Sequence, residues 1–184
     1  EYVVEEIEEL VVKHGAKHII VFDDLFLAKK QRLDRIHEIL NDRGLLDSVC
    51  FTVSARANLV SEPIVQALAN MKGRTLTIGF ESASPRVLEF LGKDGVTPDR
   101  IFQTLDLCRK YGLKIDPSFI IGSPCETRED LMATFSLITD NMDLFTAVVI
   151  GPLIVLPGTP IWDYAMSKNL IDLENLSGIV LEPE

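Results

Sequence analysis

The chain has 184 residues, of which 47% are hydrophobic and 25% are charged, so it is long enough for one sizeable core. Its 18 basic and 28 acidic residues give a formal net charge of −10, which disfavours duplex nucleic acid and anionic membranes as partners. No apolar run approaches the roughly 20 residues that span a bilayer, and residues 1–6 (EYVVEE) show no signal-peptide pattern. We therefore expect a cytoplasmic protein without a membrane span or a nucleic-acid partner.

Apolar runs and amphipathic helical patterns alternate along the chain. A first helix pattern ends at Gly15, and later helices have clear start signals, such as Ser84-Pro85, Thr97-Pro98 and a capping-box pattern over residues 127–130. Strands are predicted over residues 17–22, 48–53, 75–80 and 114–121, and a fifth apolar run over 145–155 is interrupted by Gly151-Pro152. A last short helix is predicted to begin at Pro160.

This alternation predicts an α/β fold with a parallel sheet of βα units. An open doubly wound sheet and a TIM-type (β/α) barrel, or part of one, both fit the pattern. The dinucleotide-binding version is disfavoured because no G-x-G-x-x-G follows the first strand. Since the series begins on a helix, we expect an upstream strand that lies outside this chain.

Polar residues follow each predicted strand at its carboxyl end, which is where the active site of a parallel barrel lies. We therefore expect a ligand site at the carboxyl ends of the strands. The segments concerned are residues 23–24 (DD), 54–56 (SAR), 81–84 (ESAS), 122–127 (GSPCET) and 157–160 (PGTP).

Several of these residues have two possible roles. Asp23 and Asp24 could bind a cation or an ammonium group or act as a base, or one could face solvent while the other caps a backbone N–H. Glu81 could accept hydrogen bonds from ribose hydroxyls or an amine, or cap the helix that follows. Arg56 could bind a ligand carboxylate or a neighbouring acid. Gly122 would let the backbone approach a flat ligand, or simply form a turn.

The cysteines Cys50, Cys108 and Cys125 are far apart in the sequence. This spacing suits neither a disulfide framework nor a metal site of the C-x-x-C kind. We expect Cys50 and Cys108 to be small buried residues, and we assign no role to the three histidines.

Taken together, these segments resemble the radical S-adenosylmethionine (SAM) superfamily. Residues 79–88 (GFESASPRVL) are similar to its G-x-E-S-x-S-x-x-x-L segment, and residues 119–127 (FIIGSPCET) to its G-x-I-x-G-x-P-G-E-T pattern, although Cys125 replaces a glycine. Residues 21–26 and 156–160 look like its second and sixth strand endings. The likeness is to the branch with cobalamin-binding members and the anaerobic magnesium-protoporphyrin ester cyclase type, and to the methylthiotransferases.

The resemblance implies a partial (β/α)₆ barrel, with strands two to six in a single domain over residues 1–184. It implies an Fe–S oxidoreductase-type enzyme that uses S-adenosylmethionine and a 4Fe–4S cluster, with cobalamin as a further candidate cofactor of the full-length protein. The C-x-x-x-C-x-x-C ligands of the cluster would lie upstream of Glu1, so we expect no metal ligand in this chain and no activity from it alone. The substrate is not implied.

By position, the resemblance assigns parts of the cofactor to particular residues. Asp23 and Asp24 would lie near the methionyl amine. Glu81 and Ser82 would face the ribose or methionyl group, and Lys93 the methionyl carboxylate. The backbone near Ile121, Gly122 and Leu156 would hold adenine. Arg56 is added to the expected cofactor contacts because of its place at a strand end, not because of the resemblance.

Two other functions compete with this one. A non-catalytic βα scaffold could bind a nucleotide or a protein partner without any cluster. A metal-dependent barrel lyase could use Asp23, Asp24 and Glu81 as ligands.

Overall fold

The computed structural model describes residues 2–23, 26–93 and 95–171. Its strands are β1 (His18–Val21), β2 (Cys50–Ala55), β3 (Gly73–Glu81), β4 (Lys114–Ile121) and β5 (Val149–Pro152). Its α-helices are α1 (Tyr2–His14), α2 (Lys30–Asp42), α3 (Glu62–Asn70), α4 (Pro85–Phe90), α5 (Pro98–Tyr111), α6 (Arg128–Thr139) and α7 (Pro160–Ser167). Among these helices, none combines the length and the apolar character that crossing a membrane requires.

The five strands form one parallel sheet in the order β1-β2-β3-β4-β5. Strand order therefore follows chain order, and helices alternate with the strands, which is the topology of a barrel rather than of a doubly wound sheet. The sheet curls into a half-barrel. This confirms the prediction of a partial TIM-type barrel.

The hydrophobic core lies between the sheet and its helices. From the sheet it receives Phe51, Val53, Leu76, Ile78 and Phe119, each at most 1% exposed. From the helices it receives fully buried aliphatic side chains at helical spacing: Leu33 and Leu40 of α2, Leu68 of α3, and Ile101 and Leu105 of α5. The sheet and helices thus bury each other's apolar faces.

Four of the five predicted strands have different bounds in the structure, and those of β1, β2 and β3 differ by one or two residues at each end. The second begins at Cys50, not Ser48, because Leu46–Ser48 forms a short 3₁₀ helix. Of the fifth apolar run, Val149–Pro152 is a strand, and Phe145 contributes an isolated bridge to Ile115. Pro152 is tolerated because β5 is the last strand of the sheet, where a missing N–H breaks no interior ladder.

The chain divides into two compact units, Glu1–Pro152 and Leu153–Glu184. The first contains the five strands and α1 to α6. The second contains α7, which is capped by Thr159. The single domain expected over residues 1–184 stays a prediction.

Candidate functional site

Three of the predicted site residues lie together in one cleft at the carboxyl ends of β2 and β3. Arg56 follows β2, Glu81 ends β3, and Lys93 lies in the loop after α4. The cleft has a volume of about 440 Å³ and is also lined by Ala55, Ala57, Asn58, Gly79, Gly92 and Val96. Arg56 and Lys93, which are 37 positions apart in the sequence, thus line the same cleft, because parallel strands have their carboxyl ends at the same edge of the sheet.

A break in the β3–β4 pairing aims Glu81 into this cleft. Gly79 pairs with Ser118 and Glu81 with Phe119, so β3 has one extra residue between them. Glu81 has a φ of 64°, a left-handed conformation that is costly for a residue with a side chain. Its carboxylate occupies the space that a β-carbon on Gly79 would take. The site therefore needs glycine at position 79.

The charges in the cleft are two cations and one carboxylate. Lys93 Nζ lies 2.7 Å from Glu81 Oε1, and 9% of the Glu81 side chain is exposed against 41% of Lys93. The Arg56 guanidinium forms no ion pair in the part of the chain that the structure describes. A cleft with one acceptor carboxylate and two donor cations suits a ligand that carries both an ammonium and a carboxylate group.

Ser82 does not line this cleft, because its hydroxyl is used inside the protein. Ser82 is fully buried, and its Oγ accepts a hydrogen bond from the Ser84 N–H (3.1 Å) and lies 3.3 Å from Thr134 Oγ1. Thr134 Oγ1 in turn accepts from the Ala83 N–H at 3.0 Å. The predicted contact of Ser82 with the ribose or methionyl group is therefore not evident in this arrangement, in which Ser82 holds the turn after Glu81.

Asp130 of α6 completes the same turn. Its carboxylate accepts a hydrogen bond from Ser84 Oγ at 2.7 Å and from the Thr127 N–H at 2.8 Å, and it pairs with Arg86. These contacts, that from Ser84 first, hold the pKa of Asp130 well below its usual range. Thr127 and Asp130 form the predicted capping box, and the structure adds their link to the turn after β3.

The loop after β4 contains two buried polar atoms without a partner. Gly122 has a φ of 85°, and its N–H donates to Glu126 Oε2 at 2.6 Å. Ser123 Oγ and Glu126 Oε1 are buried and form no hydrogen bond among the described residues. Sequence reasoning did not single out Ser123 or Glu126, although both lie within the segment that resembles the superfamily. Ile121, just before this loop, is half-buried.

The other predicted residues lie elsewhere. Asp23 Oδ2 pairs with Arg32 at 3.1 Å and lines a separate cavity of about 380 Å³ beside α1 and β1. Asp24 lies outside the described residues. Leu156 belongs to the second unit, and its carbonyl accepts a hydrogen bond from Thr159 Oγ1 at 2.6 Å.

Among the residues that the structure describes, no three His, Cys, Asp or Glu side chains are grouped as metal ligands. Cys108 is buried, and burial raises the pKa of its thiol to about 12, whereas Cys50 and Cys125 are half-buried. Asp23 and Glu81 line different cavities, so the structure gives no support to a metal site that would combine them.

Comparisons with known proteins agree with this fold. The sequence profile of the Radical SAM superfamily matches residues 1–138. The chain is 37% identical over 172 residues to an uncharacterized methyltransferase of Pyrococcus horikoshii, covering 93% of this chain and 36% of that protein. It is 24% identical to the anaerobic magnesium-protoporphyrin IX monomethyl ester cyclase of Cereibacter sphaeroides, covering 82% of this chain and 26% of the cyclase.

Among solved structures, the fold matches the radical S-adenosylmethionine methyltransferase TsrM of Kitasatospora setae with cobalamin and a [4Fe–4S] cluster bound. The TM-score is 0.77 at 21% sequence identity, over 90% of this chain and 31% of that chain. At this identity the likeness shows the fold alone. The chain spans about a third of the length of the curated relatives it matches.

Proposed function

Because this chain belongs to the radical SAM superfamily, we propose that it forms the barrel portion of a radical S-adenosylmethionine enzyme of the Fe–S oxidoreductase type. In this proposal the cleft of Arg56, Glu81 and Lys93 binds the methionyl end of S-adenosylmethionine. The whole protein, about three times as long in the curated relatives, would carry the activity.

The observation that carries the proposal is the meeting of Glu81 with two cations at the carboxyl edge of the sheet. The methionyl group is an α-amino acid, with one ammonium and one carboxylate. Glu81 would accept hydrogen bonds from the ammonium, and Lys93 and Arg56 would donate to the carboxylate. Glycine at position 79 keeps the floor of the cleft open for the Glu81 carboxylate.

Lys93 has a second role in this proposal. It already neutralises Glu81, which is almost fully buried. An incoming ligand ammonium can take over that neutralisation and leave Lys93 for the ligand carboxylate. Charge in the cleft is thereby balanced both before and after binding, which limits the cost of burying Glu81.

The remaining contacts are proposed from the resemblance. The backbone near Ile121 and Gly122, and near Leu156, would hold adenine. The Gly122 N–H already donates to Glu126, so other backbone groups of this loop would make that contact. Asp23 and Asp24 would lie near the methionyl amine, and Asp23 would then have to exchange its pairing with Arg32 for the ligand. For Ser82 we propose an indirect part, through the turn that follows Glu81.

The 4Fe–4S cluster would be held by cysteines outside this chain. When bound, the cluster and S-adenosylmethionine would supply reductive cleavage to methionine and a 5′-deoxyadenosyl radical that takes hydrogen from the substrate. Cobalamin is proposed as a further cofactor of the full-length protein, since the structurally similar TsrM was solved with cobalamin bound. This chain's own residues would bind and orient the methionyl group.

The test uses the full-length protein, reconstituted with iron and sulfide and then reduced. We expect 5′-deoxyadenosine by mass spectrometry, and Glu81→Gln and Lys93→Met should each weaken S-adenosylmethionine binding by about tenfold or more. Glu9→Gln and Lys13→Met are matched controls, because they remove the same charges from an exposed pair on α1. These controls should bind as the wild type does.

Absence of both the cluster and cleavage in the full-length protein would rule out the enzyme and favour the non-catalytic scaffold. The isolated chain should show no cleavage and only weak binding of S-adenosylmethionine, because in this proposal the iron anchor would lie outside it. Micromolar binding to the isolated chain by calorimetry would contradict that expectation.

A further inference from the structure

The two faces of the sheet differ in chemistry. Toward the helices, the strands present the fully buried apolar residues of the core. Toward the concave side, strand alternation places mainly polar residues: Thr52, Ser54, Thr75, Thr77, Asp116 and Ser118. Parallel strands that are packed on both faces are apolar on both, and a filled barrel interior consists largely of Val, Ile and Leu. In composition the concave face therefore differs from a packed core, although Thr52 and Thr75 toward the amino ends of the strands are buried.

The strand register aligns these polar residues across the sheet. Ser54 of β2 pairs with Thr77 of β3, and Thr77 pairs with Asp116 of β4. Adjacent strands are about 4.8 Å apart, so these three side chains form a row about 10 Å long. Thr77 is exposed, and Ser54 and Asp116 are half-buried, so a ligand on the concave face can reach the row.

The polar face continues to the cofactor cleft. Ser118 pairs with Gly79, one step beyond this row toward the carboxyl edge. A β-carbon on Gly79 would lie 3.6 Å from Ser118 Oγ and would meet the Glu81 carboxylate on its other side. Ser118 therefore borders both the concave face and the cleft proposed for the methionyl group.

Several hydrogen-bonding groups on this face have no partner among the described residues, although Thr52 Oγ1 lies 2.8 Å from His18 Nε2. The hydroxyls of Ser54, Thr77 and Ser118 form no hydrogen bond within the described ranges, whereas the hydroxyls of Thr104 and Thr134 bond to carbonyls of their own helices. Asp116 accepts from the Ala147 N–H through Oδ1 only, at 3.0 Å. Three hydroxyls and one carboxylate oxygen are thus available to a ligand.

Each flank of the face presents an exposed apolar residue, and β1 also presents the polar His18. Ile20 of β1 is 54% exposed and Val149 of β5 is 61% exposed. Ile20 pairs with Thr52 and Val149 with Ser118, which places both on the concave side. The polar groups are therefore concentrated on β2, β3 and β4, beside the cleft.

We infer that the substrate lies on this concave face and presents hydroxyl, amide or amine groups to the central strands, with Thr77 and Ser118 as specificity-determining residues. An apolar macrocycle over β2 to β4 would leave these hydroxyls and Asp116 without partners, at the cost of their desolvation. Asp116 further favours a neutral or cationic ligand over an anionic one. The inference rests on the proposed function, because the cofactor cleft decides where the reacting part of the substrate must reach.

The experiment measures 5′-deoxyadenosine release by the reconstituted full-length protein with two probes: the aqueous and the chloroform–methanol fractions of an extract of the source organism. We expect the aqueous fraction to raise the rate about fivefold, and Thr77→Val/Ser118→Ala to reduce that increase below about twofold. Thr77→Ser keeps the hydroxyl and should retain the response. Ser136→Ala/Thr139→Val is the matched control on the exposed side of α6.

The outcomes separate the two proposals. No 5′-deoxyadenosine under any condition is a failure of the proposed function. Cleavage that responds to the chloroform–methanol fraction alone, to neither fraction, or equally in wild type and the double variant overturns the inference about the substrate. If the double variant does not fold, as judged by its thermal unfolding, the single variants Thr77→Val and Ser118→Ala replace it.

Discussion

The position of the Glu81 carboxylate depends on the absence of a side chain at Gly79. Glu81 Oε1 lies where a β-carbon at position 79 would be, and the extra residue of β3 between them turns Glu81 into the left-handed region. Strand β3 is therefore irregularly paired at its end, where a nearly buried carboxylate lies at the edge of the sheet. Strain of this kind, next to a cleft, is typical of binding sites.

Gly79→Ala should therefore displace Glu81. The new methyl group meets the carboxylate, which is the far end of a flexible side chain and can move away. We expect S-adenosylmethionine binding by the full-length protein to weaken by about tenfold or more, because the carboxylate is displaced, with a loss of less than about 1 kcal/mol in unfolding free energy. Calorimetry and urea denaturation measure the two effects. Gly151→Ala, which meets no atom within 4 Å, is the control, and equal binding by both variants would contradict the role of Gly79.

The Glu81–Lys93 pair should respond unequally to the loss of each partner. Lys93→Met leaves a nearly buried carboxylate without its ion-pair partner, whereas Glu81→Gln leaves a lysine that is already 41% exposed. We expect Lys93→Met to cost about 1 kcal/mol of unfolding free energy, since the exposed lysine is screened by solvent, and Glu81→Gln to cost less. Urea denaturation of this chain measures both. A larger loss for Glu81→Gln would show that the carboxylate is stabilised chiefly by other contacts.

Thr134→Val should loosen the turn that follows Glu81. The substitution keeps the shape of the side chain but removes the oxygen that accepts from the Ala83 N–H. An unpaired buried N–H costs about 1–3 kcal/mol, which urea denaturation can measure. Thr134→Ser retains the oxygen and should recover most of the loss. Thr139→Val, on an exposed position of the same helix, should change stability by less than about 0.5 kcal/mol.

Asp130 should make this chain sensitive to acid. Because its pKa is lowered in the folded protein, the unfolded chain takes up the proton first as the pH falls. The contribution of Asp130 is therefore complete above the ordinary carboxyl pKa of about 3.9 and declines as the pH falls below it. We expect Asp130→Asn to be less stable than the wild type at pH 7 and to lose less stability between about pH 5 and pH 2.

Urea denaturation across that pH range tests the role of Asp130. Asp34→Asn, which removes an exposed carboxylate paired with Lys30, is the matched control and should follow the wild-type curve. If Asp130→Asn has the same pH dependence as the wild type, its carboxylate does not stabilise the folded state in the way that its contacts with Ser84 and Thr127 indicate.

Elements with strong local signals were predicted with correct bounds. The fourth strand was predicted over residues 114–121 and is found at Lys114–Ile121. The helix that begins after Thr97 ends at Gly112, which has the left-handed φ of 71° that ends helices. These elements depend on alternation and capping, which are properties of neighbouring residues.

The bounds of β5 could not be predicted in the same way. The apolar run over 145–155 has no internal signal that separates strand from loop. Only Val149–Pro152 is a strand, which pairs with Ser118 to Ile121 of β4, while Phe145 forms an isolated bridge to Ile115.

The polar residues at the strand ends could be predicted from the sequence, but which of them meet in one cleft could not. Arg56, Glu81 and Lys93 meet in one cleft, and their contact with the cofactor stays a prediction. Ser82 lies in the same motif as Glu81 yet faces Thr134 and Ser84. Asp23 pairs with Arg32 beside a different cavity.

The order of strands and helices, the buried faces and the carboxyl edge that carries polar residues all follow from local patterns along the chain, since alternation and capping act between near neighbours. The direction of the Glu81 carboxylate does not. It depends on a shift in register against β4, on the open space at Gly79 and on Lys93 from the following loop. Contacts between distant segments decide such details, and only the folded chain brings those segments together.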